Sequence, residues 1–220
     1  MTSPREGNRF PVPRGFTLPH VGSDVGYADV DDAVARSTLQ SNGVELTADS
    51  LMAVLDKKPE VIAAAAARVL GADSEQRAAD RLRDLAHGRG DSARAEAAYA
   101  LARFGDPEGV PALKETLELP FEAYVAPMQA AGSLARLGDP SGAAVIERAL
   151  RSSNDVIRMV ACKQLLHFVP LHGADLGGGR RLDAWALFDR ALHDRDSGIA
   201  SQARVQLGEL DAREARERLR

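Results

Sequence analysis

The chain has 220 residues, 45% hydrophobic but only 5% aromatic, so its interior must be built from alanine and aliphatic side chains on closely approaching helices. A net charge of −4 with 27% charged residues supplies no overall basic field for nucleic acid. The single cysteine, Cys162, excludes an internal disulfide and a thiolate metal site, and no stretch approaches the ~20 apolar residues that cross a bilayer.

Residues 1–26 hold Pro4, Pro11, Pro13 and Pro19, several glycines and no apolar run of the signal-peptide kind. They read as a flexible N-terminal segment of a cytoplasmic protein, followed by one repeat domain over 27–220. A helical pattern from Asp29 to Gln40 predicts a partial cap. Beyond it, first helices are expected at about 47–57, 74–86, 107–118, 140–151 and 182–193, and second helices at about 60–70, 92–104, 124–137, 155–168 and 197–210.

These boundaries rest on a repeated punctuation mark. Ala-Ala-Tyr-Ala-Leu-Ala-Arg-Phe-Gly-Asp-Pro, ending at Pro107, recurs 33 residues later as Ala-Ala-Gly-Ser-Leu-Ala-Arg-Leu-Gly-Asp-Pro, ending at Pro140. Gly105 and Gly138 suit the left-handed residue that ends a helix. Asp106 and Asp139 suit the N-cap of the next helix, and Pro107 and Pro140 its first position. Looser copies start at Ile157 and Ile199, with a degenerate one from Val61 to Gly71. Pro127 must lie in the first turn of its helix, near Ala123 to Ala126, because an interior proline costs ~3 kcal/mol.

The spacing between matching leucines, Leu101, Leu134, Leu165 and Leu207, runs 33, 31 and 42 residues, so one repeat carries an insertion. It falls in Val169–Arg181, a glycine-rich connector or a decoration of a binding edge. Its Gly177-Gly178-Gly179 lacks the lysine and serine of a phosphate loop and follows no strand.

The pattern apolar-Arg-x-x-Ala-Ala-x-Ala-Leu-x-x-Leu-Gly-Asp-Pro resembles the HEAT-like repeat, particularly the short bacterial form also seen in phycobilin lyase subunits. The likeness is good over Ser92–Asp139 and looser over Val61–Asp211. It implies an all-α fold, a right-handed α-solenoid of about five helical hairpins, with second helices lining the concave side. The repeat arginine is present as Arg94 and Arg158 but replaced by Ala63, Pro127 and Ala200, so a continuous ladder from such arginines to loop aspartates must be broken.

In this register the second helices align Arg103, Arg136, His167 and Glu209 in one column, Tyr99, Gly132 and Lys163 in the next, and Glu96, Gln129 and Gln202 in a third. The columns predict a concave polar strip in which Tyr99, Arg103, Gln129, Arg136, Lys163 and His167 bind a partner, because arginine pairs well with carboxylate or phosphate. A solvated helix face is the plain alternative. Tyr99 is expected as an exposed aromatic anchor or packed on the Arg103 stem. His167 and His172 are expected on the surface of the insertion, and acidic pairs such as Asp31-Asp32 and Asp194/Asp196 as helix caps. Trp185 and Cys162 are expected in the core.

The function expected from these residues is a non-catalytic protein-interaction module, an adaptor, regulator or assembly factor, whose partner is another protein offering an acidic segment. Neither cofactor nor metal is expected, and no contact with nucleic acid or membrane. The alternative is an enzyme on the same fold, lyase-like on a small ligand or resembling the DNA glycosylases built on helical repeats. A mixed groove with exposed apolar anchors favours a protein partner, whereas a contiguous cationic groove with a buried carboxylate favours nucleic acid.

Overall fold

The structure, a computed structural model, describes residues 27–56, 60–88, 91–120 and 125–217. The flexible segment expected over 1–26 lies outside the described residues. Helix α1 (Tyr27–Ser41) is followed by pairs: α2 (Ala48–Val54) with α3 (Glu60–Ala72), and α4 (Ala79–Ala86) with α5 (Asp91–Arg103). Then come α6 (Gly109–Leu117) with α7 (Ala126–Arg136), α8 (Ala143–Ala149) with α9 (Asp155–Lys163) and α10 (Leu165–Phe168), and α11 (Ala184–Leu192) with α12 (Ser197–Glu217). These are the five hairpins of an all-α solenoid. Second helices stack in chain order, α1 on α3, α3 on α5 and α5 on α7, with α7 meeting α9 and α10, and α9 meeting α12.

One turn geometry joins α1 and the first four hairpins in succession. The carbonyls of Leu39, Leu70, Leu101 and Leu134 accept from the amides of Val44, Glu75, Asp106 and Asp139, each five residues on, at 3.0, 3.0, 3.0 and 2.9 Å. Gly105 and Gly138 just before the last two donors have φ of +75° and +83°, a conformation that glycine reaches without a Cβ clash. Ser74 holds the same place at φ +54° without that freedom. The carboxylates of Glu75, Asp106 and Asp139 then accept from the amides of Arg77, Glu108 and Ser141, starting the next helix. Because Leu39 obeys the same rule, α1 stands in the register of a second helix, beyond the partial cap read from its sequence.

Alanine permits the close stacking. A Cβ on Gly71 would lie 2.7 Å from the Ala100 Cα, and one on Gly142 2.5 Å from the Ala131 Cα, so these small residues set how near α3 approaches α5 and how the start of the α8 segment seats on α7. Leu70, Leu101, Leu134 and Ile146 are fully buried along the stack. Pro127 lies in the first turn of α7, where its missing amide costs nothing.

Three details differ from the sequence reading. Helix α6 starts at Gly109, because Asp106 to Gly109 closes a turn (Gly109 N to Asp106 O, 3.2 Å) before the helix proper. The helix expected over 155–168 breaks at Gln164, whose amide bonds back only three residues, to Ala161 O. The insertion folds into a small antiparallel hairpin of β1 (Asp175–Gly177) and β2 (Arg180–Arg181), turned by three glycines with positive φ. Arg180 reaches Glu147 at 3.4 Å and ties this hairpin to α8.

Candidate functional site

At the centre of the layer of second helices is Tyr99, in the middle of α5. Rather than projecting as an exposed anchor, it is 2% exposed. The guanidinium carbons of Arg68 on α3, Arg103 on α5 and Arg136 on α7 lie 5.1, 5.8 and 5.3 Å from its ring centroid, a distance at which a cation is attracted by an aromatic face. Long side chains from three neighbouring helices fold over the ring, so the ring does not face open solvent. Burial raises the Tyr99 phenol above its ordinary range, against the opposing pull of Arg136, Arg68 and Arg103.

Two carboxylates hold these arginines. Glu96 takes Arg68 Nη2 through both oxygens, at 2.8 and 2.6 Å. Asp32 of α1 lies 2.8 Å from Arg103 Nη1 and 3.6 Å from Arg68 Nη1. Asp32 therefore clasps α1 onto α3 and α5 rather than capping a helix as its place in the sequence suggested. Arg136 Nη1 donates to Ser133 Oγ at 3.1 Å.

Beside this cluster, α1 and α3 leave an open groove of about 210 Å³. Val34 and Val61 stand at its sides, 60% and 55% exposed, over Ala64 and Ala65, and Arg68, Glu96 and Arg136 form its polar end.

The rest of the predicted strip is distributed differently. Gln129 on α7 is half-buried, with its side-chain oxygen enclosed and without a hydrogen-bond partner. Lys163 is exposed at the end of α9, and its backbone carbonyl accepts from Gln206 Nε2 at 3.1 Å. His167 is 5% exposed, not a surface residue of the insertion, because the break at Gln164 resets the helix register on which its column was counted. His172 is exposed as expected. The structure thus gathers Tyr99, Arg103 and Arg136 and leaves Gln129, Lys163 and His167 in other surroundings.

Sequence reading missed Asp32, Arg68 and the two valines as parts of this site. A signal for Arg68 was present: a lone arginine inside the apolar run of α3 needs buried carboxylates.

Elsewhere the arginine ladder is broken but keeps one rung. Arg158 binds Asp194 through Nε at 2.8 Å and Nη2 at 3.2 Å, while Arg94 turns to Thr116 Oγ1 at 3.2 Å. Loop aspartates Asp106 and Asp139 instead pair with Arg83 at 2.6 Å and Lys114 at 2.9 Å on the first helices. The Glu108 amide, with Arg83, holds the Asp106 carboxyl below the usual range. Cys162 is buried, and burial pushes its thiol up to about 12, so it stays a thiol at neutral pH. Among the described residues no group of three or more His, Cys, Asp or Glu is placed to hold a metal ion, and no helix is long and apolar enough to cross a membrane.

Compared with known proteins, residues 48–127 match a family model described as HEAT repeats. The match takes in α2 to α6, including the Leu-to-amide turns at Glu75 and Asp106. Two engineered proteins solved as crystal structures by the Northeast Structural Genomics Consortium are similar to this chain at 17% and 15% identity. They cover 84% and 82% of this chain and 87% of each of their own, with a TM-score of 0.42 in both cases. No curated protein matches the chain.

Proposed function

We propose that the chain is a non-catalytic protein-interaction module, an adaptor, regulator or assembly factor, whose partner occupies the groove between α1 and α3. The observation that carries this reading is the mixed character of the groove: two exposed valines over an alanine floor, with arginines at one end. Solenoid stacks offer such grooves to peptides and helices, and HEAT repeats generally mediate protein interaction. An apolar side chain of the partner fits between Val34 and Val61, and a neighbouring carboxylate is drawn to Arg136. Asp32 already illustrates how a carboxylate is received by the same cluster, against Arg103 and Arg68. The one carboxylate lining the groove, Glu96, is engaged by Arg68, which supports a binding role over acid–base chemistry.

The test begins with capture of the partner from the native host and its identification by mass spectrometry, followed by calorimetry with the purified partner. Val61→Asp is expected to weaken the complex at least ~10-fold, since it sets a charge in an apolar contact. Its unfolding midpoint should match the wild type, because Val61 is largely exposed. Added salt should weaken the wild-type complex more than the Arg136→Ala complex. Unaltered affinity in both variants would remove the groove as the binding site.

A further inference from the structure

The crease between the last two stacked hairpins carries arginine where an earlier one carries carboxylate. A step of 33 residues relates Glu115 and Glu118 at the end of α6 to Arg148 and Arg151 at the end of α8, and a step of 42 relates those to Arg190 and His193 at the end of α11. In the earlier crease, cations meet acids: His87 lies 3.6 Å from Glu108 and 3.8 Å from Glu115, and Arg94 Nη2 lies 3.4 Å from Glu115.

The later crease is different. An open cavity of about 430 Å³ lies between the α8–α9 and α11–α12 turns, lined by Arg151, Arg158, Arg190, His193 and Arg195, with Leu150 supplying an apolar wall. Its one lining carboxylate, Asp194, is already taken by Arg158 Nε and Nη2 at 2.8 and 3.2 Å. Arg158 Nη1 donates to the carbonyls of Ser152 and Ser153 at 3.0 Å each, and Arg195 Nη2 to Ser153 O at 2.7 Å, so the floor is a fixed arrangement. Arg151 is held by Glu147 at 2.6 Å. Arg190 is exposed and has no hydrogen bond or ion pair among the described residues. Helix C-termini favour cations, but α6 ends in Glu115 and Glu118 at the matching positions, so the helix dipole alone does not select arginine here.

We propose that this crease is a binding site for a phosphate monoester, separate from the groove between α1 and α3. Guanidiniums approach from both turns, and a tetrahedral dianion with three acceptor oxygens engages several at once, whereas a planar carboxylate is satisfied by one. The cavity exceeds what a phosphate ion fills, leaving room for an organic portion against Leu150.

Calorimetry on the full chain at low salt tests this, with adenosine monophosphate, phosphoserine and inorganic phosphate as probes. At least one ester is expected to bind, and Arg190→Ala with Arg195→Ala to weaken it at least ~10-fold. A control removing the same charge at the exposed Arg77 and Arg81, both to alanine, should bind within about twofold of the wild type, because charges far from the cavity are screened. Tighter binding of adenosine monophosphate assigns a nucleotide-type ester, and tighter binding of phosphoserine a protein-borne one. Preference for inorganic phosphate over both esters overturns the proposal of an ester site. So does the absence of binding by either ester up to about 10 mM, or an equal loss in the control variant. If the double variant fails to fold, the exposed single change Arg190→Gln is measured instead, with a loss of at least ~threefold expected and unchanged affinity counting against the site.

Discussion

Around Tyr99, Arg68 and Arg103 are enclosed with Asp32 and Glu96, whereas in the crease between the α8–α9 and α11–α12 turns Arg190 and Arg195 stand exposed beside a carboxylate already taken by Arg158. The same residue type therefore does two jobs. In that cluster Arg68 is almost wholly buried and Arg103 largely so, and the two carboxylates are what make that burial tolerable. At the crease, Arg158 is likewise buried on Asp194, but Arg190 and Arg195 are exposed to solvent, so they contribute little to folding and remain available to an incoming anion.

The strongest way to break this contrast is Arg68→Ala. With the Arg68 side chain 6% exposed, its loss strands the largely buried Glu96 and leaves Asp32 to Arg103 alone, and denaturant unfolding should show a cost of ~3–5 kcal/mol. An unshifted midpoint would mean the cluster is not closed. As a yardstick that involves no charge, Leu134→Ala at a fully buried position should cost ~2–5 kcal/mol in the same measurement. Arg103→Ala is expected to cost ~1–3 kcal/mol, because Asp32 keeps only the longer contact to Arg68. The strip read from sequence as solvent-exposed would have made that change nearly silent.

A pH titration sharpens the comparison from the acid side. The Asp106 carboxyl is held low chiefly by the Glu108 amide, with Arg83 adding to it, and Asp194 is held low by Arg158 despite burial acting the other way. A depressed folded-state pKa gives stability that is complete above the unfolded aspartate value of ~3.9 and fades as pH falls through the folded value. Thermal unfolding should therefore hold steady down to about pH 4 with respect to these two groups and weaken below it, and Asp106→Asn should blunt that acid-limb loss. The smallest effect belongs to the crease: Arg190→Ala should shift stability by no more than ~0.5 kcal/mol, and a larger loss would show that it supports the fold.

Helix placement was legible because its signals are local. Gly-Asp-Pro at 105–107 and 138–140 combines a left-handed stop with a carboxylate cap, and both work through backbone groups a few residues away. The Ala-rich stretches fixed which helices stack. The site was less legible because exposure is decided by neighbours distant in sequence: Tyr99 disappears beneath arginines contributed by α3 and α7 as well as its own helix, and Asp32 reaches Arg103 across 71 residues. Column counting also assumes an unbroken helix. The break at Gln164 defeats that assumption for His167, and Gly132 in the Tyr99 column has no side chain, leaving its space to that of Gln164.

The Leu-to-amide turns at Asp106 and Asp139 are interchangeable joints. Both bond back five residues, both follow a glycine of similar φ, and both carry a carboxylate that caps the next element. The polypeptide thus contains matched splice points. Excising residues 106–138 would connect Gly105 directly to Asp139 and recreate the same joint, shortening the stack by α6 and α7 without introducing a new type of corner. Length variation in such an array is a matter of adding or dropping cassettes, and here the cassette removed would take with it Arg136, one of the three cations around Tyr99.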